Sequence, residues 1–178
     1  MISHPWHTIS SGSRVPELVN AIVEIPRGSR AKYEVDKETG ILRLDRVLVS
    51  SISYPFHYGF IPQSYGQDGD ALDILILCSE CLVPLTLVEV RVLGVMHMID
   101  QDEPDHKIIG VAQGDHRLRH VHELVDLDPG ALDDIQTFFS NYKRGENKKV
   151  IIQNFSGRVA AYELIMQSLT SYQQAFRP

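Results

Sequence analysis

The sequence of 178 residues has little cysteine, no excess of basic residues and no long apolar run. Two cysteines are too few for the disulfide framework of a small secreted domain. The formal net charge is -6, whereas a nucleic-acid-binding protein normally carries a basic surplus or a basic stripe. The longest nearly continuous apolar run, Leu72–Cys78, is far shorter than the roughly 20 residues of a membrane-spanning helix. We therefore expect neither a nucleic-acid partner nor a membrane span.

The start of the chain and its overall composition predict one cytoplasmic domain. Residues Met1–His7 lack the basic start and the apolar stretch of a signal peptide, and the low cysteine content favours a reducing compartment. The chain is 43% apolar and 22% charged, which is enough apolar material for a core. Because no repeat or linker interrupts the sequence, residues 1–178 are expected to form a single domain, with residues 1–15 as an irregular N-terminal arm.

Strand-like patterns dominate the first two thirds of the chain. A turn at Glu38–Gly40 separates two of them and is typical of a hairpin. The segment Tyr54–Gly66 is rich in tyrosine, proline and glycine, and is expected to be an ordered loop. The predicted strands are Val19–Ile25, Lys32–Asp36, Ile41–Leu48, Leu72–Leu77, Leu85–Met98 and Lys107–Ala112.

Two helices are predicted in the last third of the chain. Asp128 followed by Pro129 is typical of a helix start, and Gly145 is expected to end this helix. The second helix is predicted over Arg158–Gln174, where apolar residues recur at helical spacing. Many short strands followed by two helices are typical of a mainly β (α+β) fold, in which the helices pack against a small barrel or curled sheet.

Acidic residues are concentrated in two segments that share the spacing D-x-D-x-x-D. Either segment alone is consistent with a solvated turn. Two such segments at strand ends favour a metal site, because clustered carboxylates repel one another unless a cation neutralises them. Oxygen ligands suit magnesium, manganese or calcium and not zinc, and the spacing does not match an EF-hand loop. The residues are Asp68, Asp70 and Asp73, and then Asp100, Asp102 and Asp105.

Several basic and tyrosyl side chains are candidate phosphate ligands. Lys32 and Glu34 alternate on one predicted strand and therefore project from the same face, and Arg46 lies on the next strand. Lys107 closes the second acidic segment, and Tyr142–Lys143 ends the first predicted helix. Taken singly, each cation is consistent with an ordinary surface residue. Together with a metal site, they form the combination that stabilises charge in phosphoryl transfer.

The segment Asp68–Ile74 resembles the D-x-D-P-x-D signature of the family I soluble inorganic pyrophosphatases. The likeness covers roughly residues 15 to 150. Ala71 stands where the signature has proline, and Gln101 replaces an acidic residue of some members. Further motifs in the family's order and spacing are Val23–Pro26, Lys32–Glu34, Asp45–Arg46, Tyr54–Gly59, Ile99–Lys107 and Phe138–Lys143.

The resemblance implies a closed five-stranded OB-type barrel with an inorganic diphosphatase site at its mouth. It also implies several Mg2+ ions, for which Mn2+ or other divalent ions substitute. Asp70 is then the general base acting on a metal-activated water. The metal ligands implied are Asp68, Asp73, Asp100, Asp105 and Glu34, the last of these through water. The substrate-binding residues implied are Lys32, Arg46, Tyr58, Lys107, Tyr142 and Lys143, supported by Glu24 and Tyr54.

The resemblance further implies pyrophosphate as a small-molecule substrate and a homo-oligomer, with a hexamer favoured over a dimer. Two alternatives are weaker. A nucleotide transferase with a D-x-D motif normally needs a larger α/β fold, and a barrel that binds single-stranded nucleic acid needs a basic groove. The C-x-x-C pair and a histidine cluster are interpreted as incidental; these are Cys78 and Cys81, and His116, His120 and His122.

Overall fold

The computed structural model describes residues 4–49, 51–144, 146 and 149–176, which form a mainly β structure with three helices. The strands are β1 (Leu18–Ile25), β2 (Ala31–Val35), β3 (Leu42–Val47), β4 (His57–Phe60), β5 (Asp73–Leu77), β6 (Leu87–Asp100), β7 (Glu103–Pro104), β8 (Lys107–Ala112) and β9 (Val150–Gly157). The helices are α1 (Pro5–Thr8), α2 (Ala131–Asn141) and α3 (Arg158–Phe176).

Five strands are connected by a continuous series of hydrogen-bonded pairings. β1 pairs antiparallel with β4, β4 pairs antiparallel with β5, and β5 runs parallel to β8. β8 pairs antiparallel with β6, and the first residues of β6, Leu87–Arg91, pair with β1 again. Farther along β6, residues Gly94–Asp100 pair with β9, and the short β7 pairs with the end of β6. β2 and β3 form a separate antiparallel hairpin.

The close approach of β4 to β1 depends on Gly59. A Cβ atom at this position would lie 1.9 Å from the carbonyl oxygen of Ile22, so any larger residue would push the two strands apart. Tyr58, the residue before it, is paired with Ile25 across the same two strands. Gly59 therefore lets β4 lie close to β1, and this pairing sets the backbone position of Tyr58.

Three apolar clusters hold the helices against the strands. The largest joins the sheet to α2, with Phe139 fully buried, and the second joins it to α3 through Ile165. The prediction of two helices packed against a mainly β framework is therefore confirmed. The third cluster, which we call the Trp6 cluster, fixes α1 and contains Trp6, Ile22, Phe60 and Tyr172.

Some sequence predictions of secondary structure are wrong. Strand β4 lies inside the segment Tyr54–Gly66, which was expected to be loop, because β1 and β5 supply hydrogen-bonding partners on both of its edges. Strand β9 was not expected, although it begins with Val150–Ile152; its later residues are mostly polar, none of its residues is fully buried, and it pairs with β6. The arm over residues 1–15 is not irregular throughout, since it contains α1 with Trp6 buried.

The boundaries of the first predicted helix also differ. α2 begins at Ala131 after Gly130, which has a φ of 90°, and not at Asp128. It ends at Asn141, and the predicted stop at Gly145 lies outside the described residues. None of the helices in the described ranges has the length and apolar character needed to cross a membrane.

Candidate active site

A cleft of about 750 Å³ brings together every catalytic, substrate-binding, metal-binding and supporting residue implied by the resemblance, whereas Asp102 of the second acidic segment is exposed and does not line it. It is bordered by the β2–β3 hairpin, the starts of β5 and β8, and the C-terminal end of α2. The predicted residues along it are Glu24, Lys32, Glu34, Arg46, Tyr54, Tyr58, Asp68, Asp70, Asp73, Asp100, Asp105, Lys107, Tyr142 and Lys143. Residues separated by more than a hundred positions in the sequence thus share one surface.

Lys107 occupies the centre of this cleft. β5 and β8 are parallel neighbours, and their register places Asp73 beside Lys107. The Lys107 Nζ donates to Asp73 Oδ2 at 2.5 Å and also to a carboxylate oxygen of Asp105. It lies 5.8 Å from the centre of the Tyr58 ring. Because Lys107 is only 2% exposed, its charge is held almost entirely by the two carboxylates.

Burial governs the pKa values around Lys107. It raises the pKa of Asp73, an effect that the Lys107 charge opposes and the Asp105 charge reinforces. Burial alone would lower the pKa of Lys107, but the charges of Asp73 and Asp105 outweigh it and raise that pKa. Burial also raises the pKa of Tyr58, so this phenol stays a neutral hydrogen-bond donor. The centre therefore holds a permanent positive charge between two acids.

A second ion pair joins the end of β6 to the end of α2. Lys143, just beyond α2, donates to Asp100 Oδ2, and its Nζ lies 5.3 Å from the centre of the Tyr142 ring. The other oxygen, Asp100 Oδ1, is buried and has no hydrogen-bond partner among the residues that the structure describes. A buried carboxylate oxygen without a partner is costly, which makes this position receptive to a cation.

The β2–β3 hairpin supplies a third group of charges. Lys32 Nζ donates to Glu34 and, at 3.2 Å, to Asp45 Oδ2, which also accepts from Arg46 Nη1 at 2.6 Å. The Arg46 Nε donates to Glu146 Oε1 at 2.8 Å. Its Nη2 is buried without a partner among the described residues, so one guanidinium donor remains for an anion.

Glu24 and Tyr54 lie beneath the charged surface. The Glu24 carboxyl is 8% exposed and accepts the Val35 N–H at 2.6 Å, which ties β1 to the end of β2. The Tyr54 ring packs between Tyr58 and Phe138, with ring centres 5.5 Å and 4.5 Å away. Both residues are therefore placed to support the side chains above them.

The family model for inorganic pyrophosphatase matches residues 21–173 of this chain. The chain belongs to the inorganic pyrophosphatase family. The soluble inorganic pyrophosphatase 2 of Chlamydomonas reinhardtii is 42% identical over 176 residues, which cover 99% of this chain and 92% of the relative. The soluble inorganic pyrophosphatase of Oryza sativa subsp. indica is 44% identical over 96% of this chain and 79% of its own.

Solved structures agree with this assignment. The crystal structure of the inorganic pyrophosphatase from Thermus thermophilus has a TM-score of 0.92 and 38% identity, covering 96% of this chain and 99% of that one. The family expected from the sequence is confirmed, and as a member of it this chain is a pyrophosphate hydrolase.

The side chains of this pyrophosphatase fit the divalent metal cofactor that family membership implies. The cleft offers carboxylate oxygens, the ligands that hard divalent ions prefer, and Asp100 Oδ1 lacks a partner in the described chain. As the described residues stand, no three acidic, histidine or cysteine side chains converge closely enough to hold an ion. Asp73, Asp105 and Asp100 are paired with Lys107 and Lys143 instead.

Several charged residues that line the pyrophosphatase cleft, or pair with residues that line it, were missed as site residues. Asp45 joins Lys32 to Arg46, and its place beside Arg46 in the motif could have indicated it. Lys37 pairs with Asp70 from the turn after β2, and Glu146 pairs with Arg46 over 100 positions of sequence. No sequence pattern indicates the last two contacts, because each depends on the tertiary fold.

The motifs that the sequence analysis set aside do not line the pyrophosphatase cleft. Cys78 and Cys81 are free thiols, the first half-buried and the second exposed. The three clustered histidines, His116, His120 and His122, are exposed. Ala71, in place of the signature proline, faces both the cleft and the Trp6 cluster.

A Glu24→Gln variant of the pyrophosphatase is expected to lose much less stability than the wild type as the pH rises. Burial raises the pKa of Glu24 from 4.5 to about 8, the Val35 N–H opposes this shift, and the Asp73 charge adds to it. Between these two pH values the unfolded chain has released a proton that the folded chain keeps. The stabilising contribution is therefore complete below pH 4.5 and is lost as the pH rises through about 8. Its upper limit is about 5 kcal/mol.

Urea unfolding in EDTA from about pH 5 to about pH 8 measures this effect. We expect the wild type to lose more free energy of unfolding than Glu24→Gln over this range. Glu163→Gln, an exposed change on α3, serves as the control and should follow the wild type. Parallel curves for wild type and Glu24→Gln would mean that Glu24 ionises normally in the folded protein.

Proposed function

We propose that this chain hydrolyses pyrophosphate to two orthophosphates in the cleft around Lys107, in a Mg2+-dependent reaction. The observation that carries the proposal is the interleaving of acids and cations: Asp73 and Asp105 share Lys107, and Asp100 pairs with Lys143. Such a surface presents oxygen ligands to divalent ions and N–H donors to phosphate oxygens within a few ångströms of each other.

The proposed phosphate ligands surround this centre. Arg46 supports the assignment most directly, because its buried Nη2 has no partner within the described chain and guanidinium groups bind phosphate oxygens in a fixed geometry. Tyr58 is a neutral donor beside Lys107. The full proposed set is Lys32, Arg46, Tyr58, Lys107, Tyr142 and Lys143, with Glu24 and Tyr54 holding the rings and strands beneath them.

The proposed ligands for Mg2+ are the acids along the same cleft: Asp68, Asp73, Asp100, Asp105 and, through water, Glu34. Mn2+ or other divalent ions are expected to substitute, because all of these ligands are oxygen atoms. When bound, the cations lower the pKa of a nearby water and neutralise charge on the phosphates. The unpartnered Asp100 Oδ1 supports this assignment.

Asp70 is the proposed general base. The oxygen of the attacking water forms a bond to one phosphorus, the bond from that phosphorus to the bridging oxygen breaks, and Asp70 accepts the proton that the water releases. The bridging oxygen leaves with the second phosphate. Lys and Arg side chains spread the charge that develops on the phosphate oxygens.

Phosphate release from pyrophosphate by the purified wild type tests the proposal. We expect rapid release with Mg2+ and loss of activity with excess EDTA, restored by returning Mg2+. No release from folded, Mg2+-loaded protein would overturn the proposed reaction, and release that EDTA leaves unchanged would overturn the metal dependence.

The circuit of pairings through β1, β4, β5, β8 and β6 supports a further proposal, that these strands form the closed five-stranded OB-type barrel of the sequence analysis. We also propose one domain over residues 1–178. An experimental structure in which β1 and β6 do not pair would contradict the closed barrel.

A homo-oligomer in the cytoplasm is proposed on separate grounds. The homo-oligomer is carried over from the family resemblance, and exposed apolar side chains such as Val49 and Val125, 78% and 85% exposed, are available for contacts between subunits. Both cysteines are free, as expected in a reducing compartment. Sedimentation velocity distinguishes the favoured hexamer from a dimer, and a monomer would overturn the assembly. Localisation of a tagged protein outside the cytoplasm would overturn the second proposal.

A further inference from the structure

Lys37 reaches across the mouth of the cleft from the turn between β2 and β3. Its Nζ pairs with Asp70 Oδ1 and lies 3.4 Å from the carbonyl oxygen of Gly69. The loop around Asp70 and the tip of the β2–β3 hairpin are thus joined by one ammonium group. Within the described chain Asp70, the residue proposed above as the general base, forms this ion pair with Lys37.

The turn that carries Lys37 is fixed by its own hydrogen bonds. Asp36 Oδ1 accepts from the Thr39 N–H at 2.9 Å and from the Thr39 hydroxyl at 2.7 Å, and these bonds lower the pKa of Asp36. The Gly40 N–H donates to the Asp36 carbonyl at 2.8 Å. The hairpin tip is therefore an ordered platform on which the base of the Lys37 side chain has a defined position.

Helix α1 holds the same tip from outside. The His4 Nε2 is hydrogen-bonded to the Lys37 carbonyl at 3.1 Å. Gly40 has a φ of 70°, and a Cβ atom there would lie 3.1 Å from both His4 and Pro5, so α1 and the tip are in close contact. The Trp6 Nε1 donates to the Ser64 carbonyl at 2.8 Å, in the segment that leads to the Asp70 loop.

The Asp70 loop is anchored to that same segment. The Ser64 hydroxyl accepts the Leu72 N–H at 2.8 Å, and the Gly66 N–H donates to the Asp70 carbonyl at 2.7 Å. The backbones on both sides of the Lys37–Asp70 pair are therefore fixed to one framework. Only the Asp70 side chain itself is left to be oriented.

The pair is poorly suited to stabilising the fold. The Lys37 and Asp70 side chains are 57% and 53% exposed, and ion pairs this accessible to water contribute little to folding stability. An exposed pair can still orient a side chain, because the Lys37 ammonium restricts the directions in which the Asp70 carboxylate points. A general base must lie within hydrogen-bond reach of the proton that it accepts.

We propose that Lys37 is a positioning residue that orients Asp70 toward the attacking water, and that α1 keeps Lys37 in place. This inference rests on the proposed function, and specifically on Asp70 as the base. Loss of the pair should spread the Asp70 carboxylate over more rotamers without removing it. The effect should therefore be smaller than that of removing the base, and it should fall on kcat and not on KM.

Lys37→Met is the main test, with phosphate release from magnesium pyrophosphate as the assay. We expect kcat to fall about 10-fold with KM nearly unchanged, and Lys37→Arg to restore most of the loss. In an Asp70→Asn background, Lys37→Met should cause no further loss, because there is no base left to orient. Arg14→Met breaks a comparably exposed pair with Glu89, away from the cleft, and should leave kcat unchanged.

Each other outcome counts against a specific part of the inference. An unchanged kcat in Lys37→Met, with an active wild type, overturns the positioning role and leaves the proposed function standing. A raised KM with an unchanged kcat assigns Lys37 to substrate binding, and an equal loss in the Asp70→Asn background shows that it acts independently of Asp70. An inactive wild type overturns the proposed function and this inference together.

Discussion

Asp70→Asn is expected to lower kcat by about 10²- to 10⁴-fold, the range for removing a general base. Asparagine has nearly the same shape as aspartate but does not accept a proton from the attacking water. Asp70 is 53% exposed and is paired with Lys37 at the mouth of the cleft, so the substitution should leave the fold intact. KM for magnesium pyrophosphate should change far less than kcat.

Two measurements separate this role from a role in metal binding. Steady-state phosphate release gives kcat, and titration calorimetry with Mg2+ gives the metal affinity of the same protein. We expect the affinity for Mg2+ to be close to that of the wild type, because Asp70 is not among the proposed ligands. Asp134→Asn, an exposed change on α2, is the matched control and should be fully active. A folded Asp70→Asn enzyme with normal kcat would remove Asp70 from the base role, and a lost Mg2+ affinity would make it a ligand.

Lys107→Met is expected to destabilise the metal-free protein by about 3–5 kcal/mol. The change removes the cation from between Asp73 and Asp105 and leaves two carboxylates facing each other in a partly buried position. Methionine fills a similar volume, so packing is largely kept and the loss is electrostatic. Phosphate release should also fall, because the variant lacks the ammonium group that is proposed to bind the phosphates.

Mg2+ provides the diagnostic for this second variant. If Asp73 and Asp105 are metal ligands, Mg2+ should stabilise Lys107→Met more than it stabilises the wild type, because no ammonium has to be displaced. Urea unfolding in EDTA and in Mg2+ measures the free energy of unfolding of each protein in both conditions. Lys149→Met, which alters an exposed lysine, should behave like the wild type in each condition. A Lys107→Met protein as stable as the wild type in EDTA would contradict the proposed electrostatic coupling.

Local spacing accounts for the parts of this site that the sequence analysis predicted. Lys32 and Glu34 were expected on one face of a strand, and they pair with each other along β2. The D-x-D-x-x-D segments were expected at strand ends, and Asp73 begins β5 while Asp100 ends β6. Alternation and turn chemistry are local properties, so they can be read from neighbouring residues.

Contacts between distant segments account for the rest. The parallel pairing of β5 with β8 puts Asp73 beside Lys107, 34 positions away, and no local pattern predicts which strands become neighbours. The same limit applies to Arg46 with Glu146 and to Lys37 with Asp70. Strand β9 shows it for secondary structure, because its mixed apolar and polar sequence does not indicate that it pairs with β6.

The lysine–carboxylate pairs of the cleft have a practical consequence for inhibitor screening. Anionic fragments tested against chelator-treated protein would meet ammonium groups that Asp73, Asp105 and Asp100 already occupy. Their affinities would be underestimated, while small organic cations that compete for the same carboxylates would be overrated as hits. A compound library for this enzyme should therefore be ranked on the Mg2+-saturated form, with the chelated form kept only as a counter-screen.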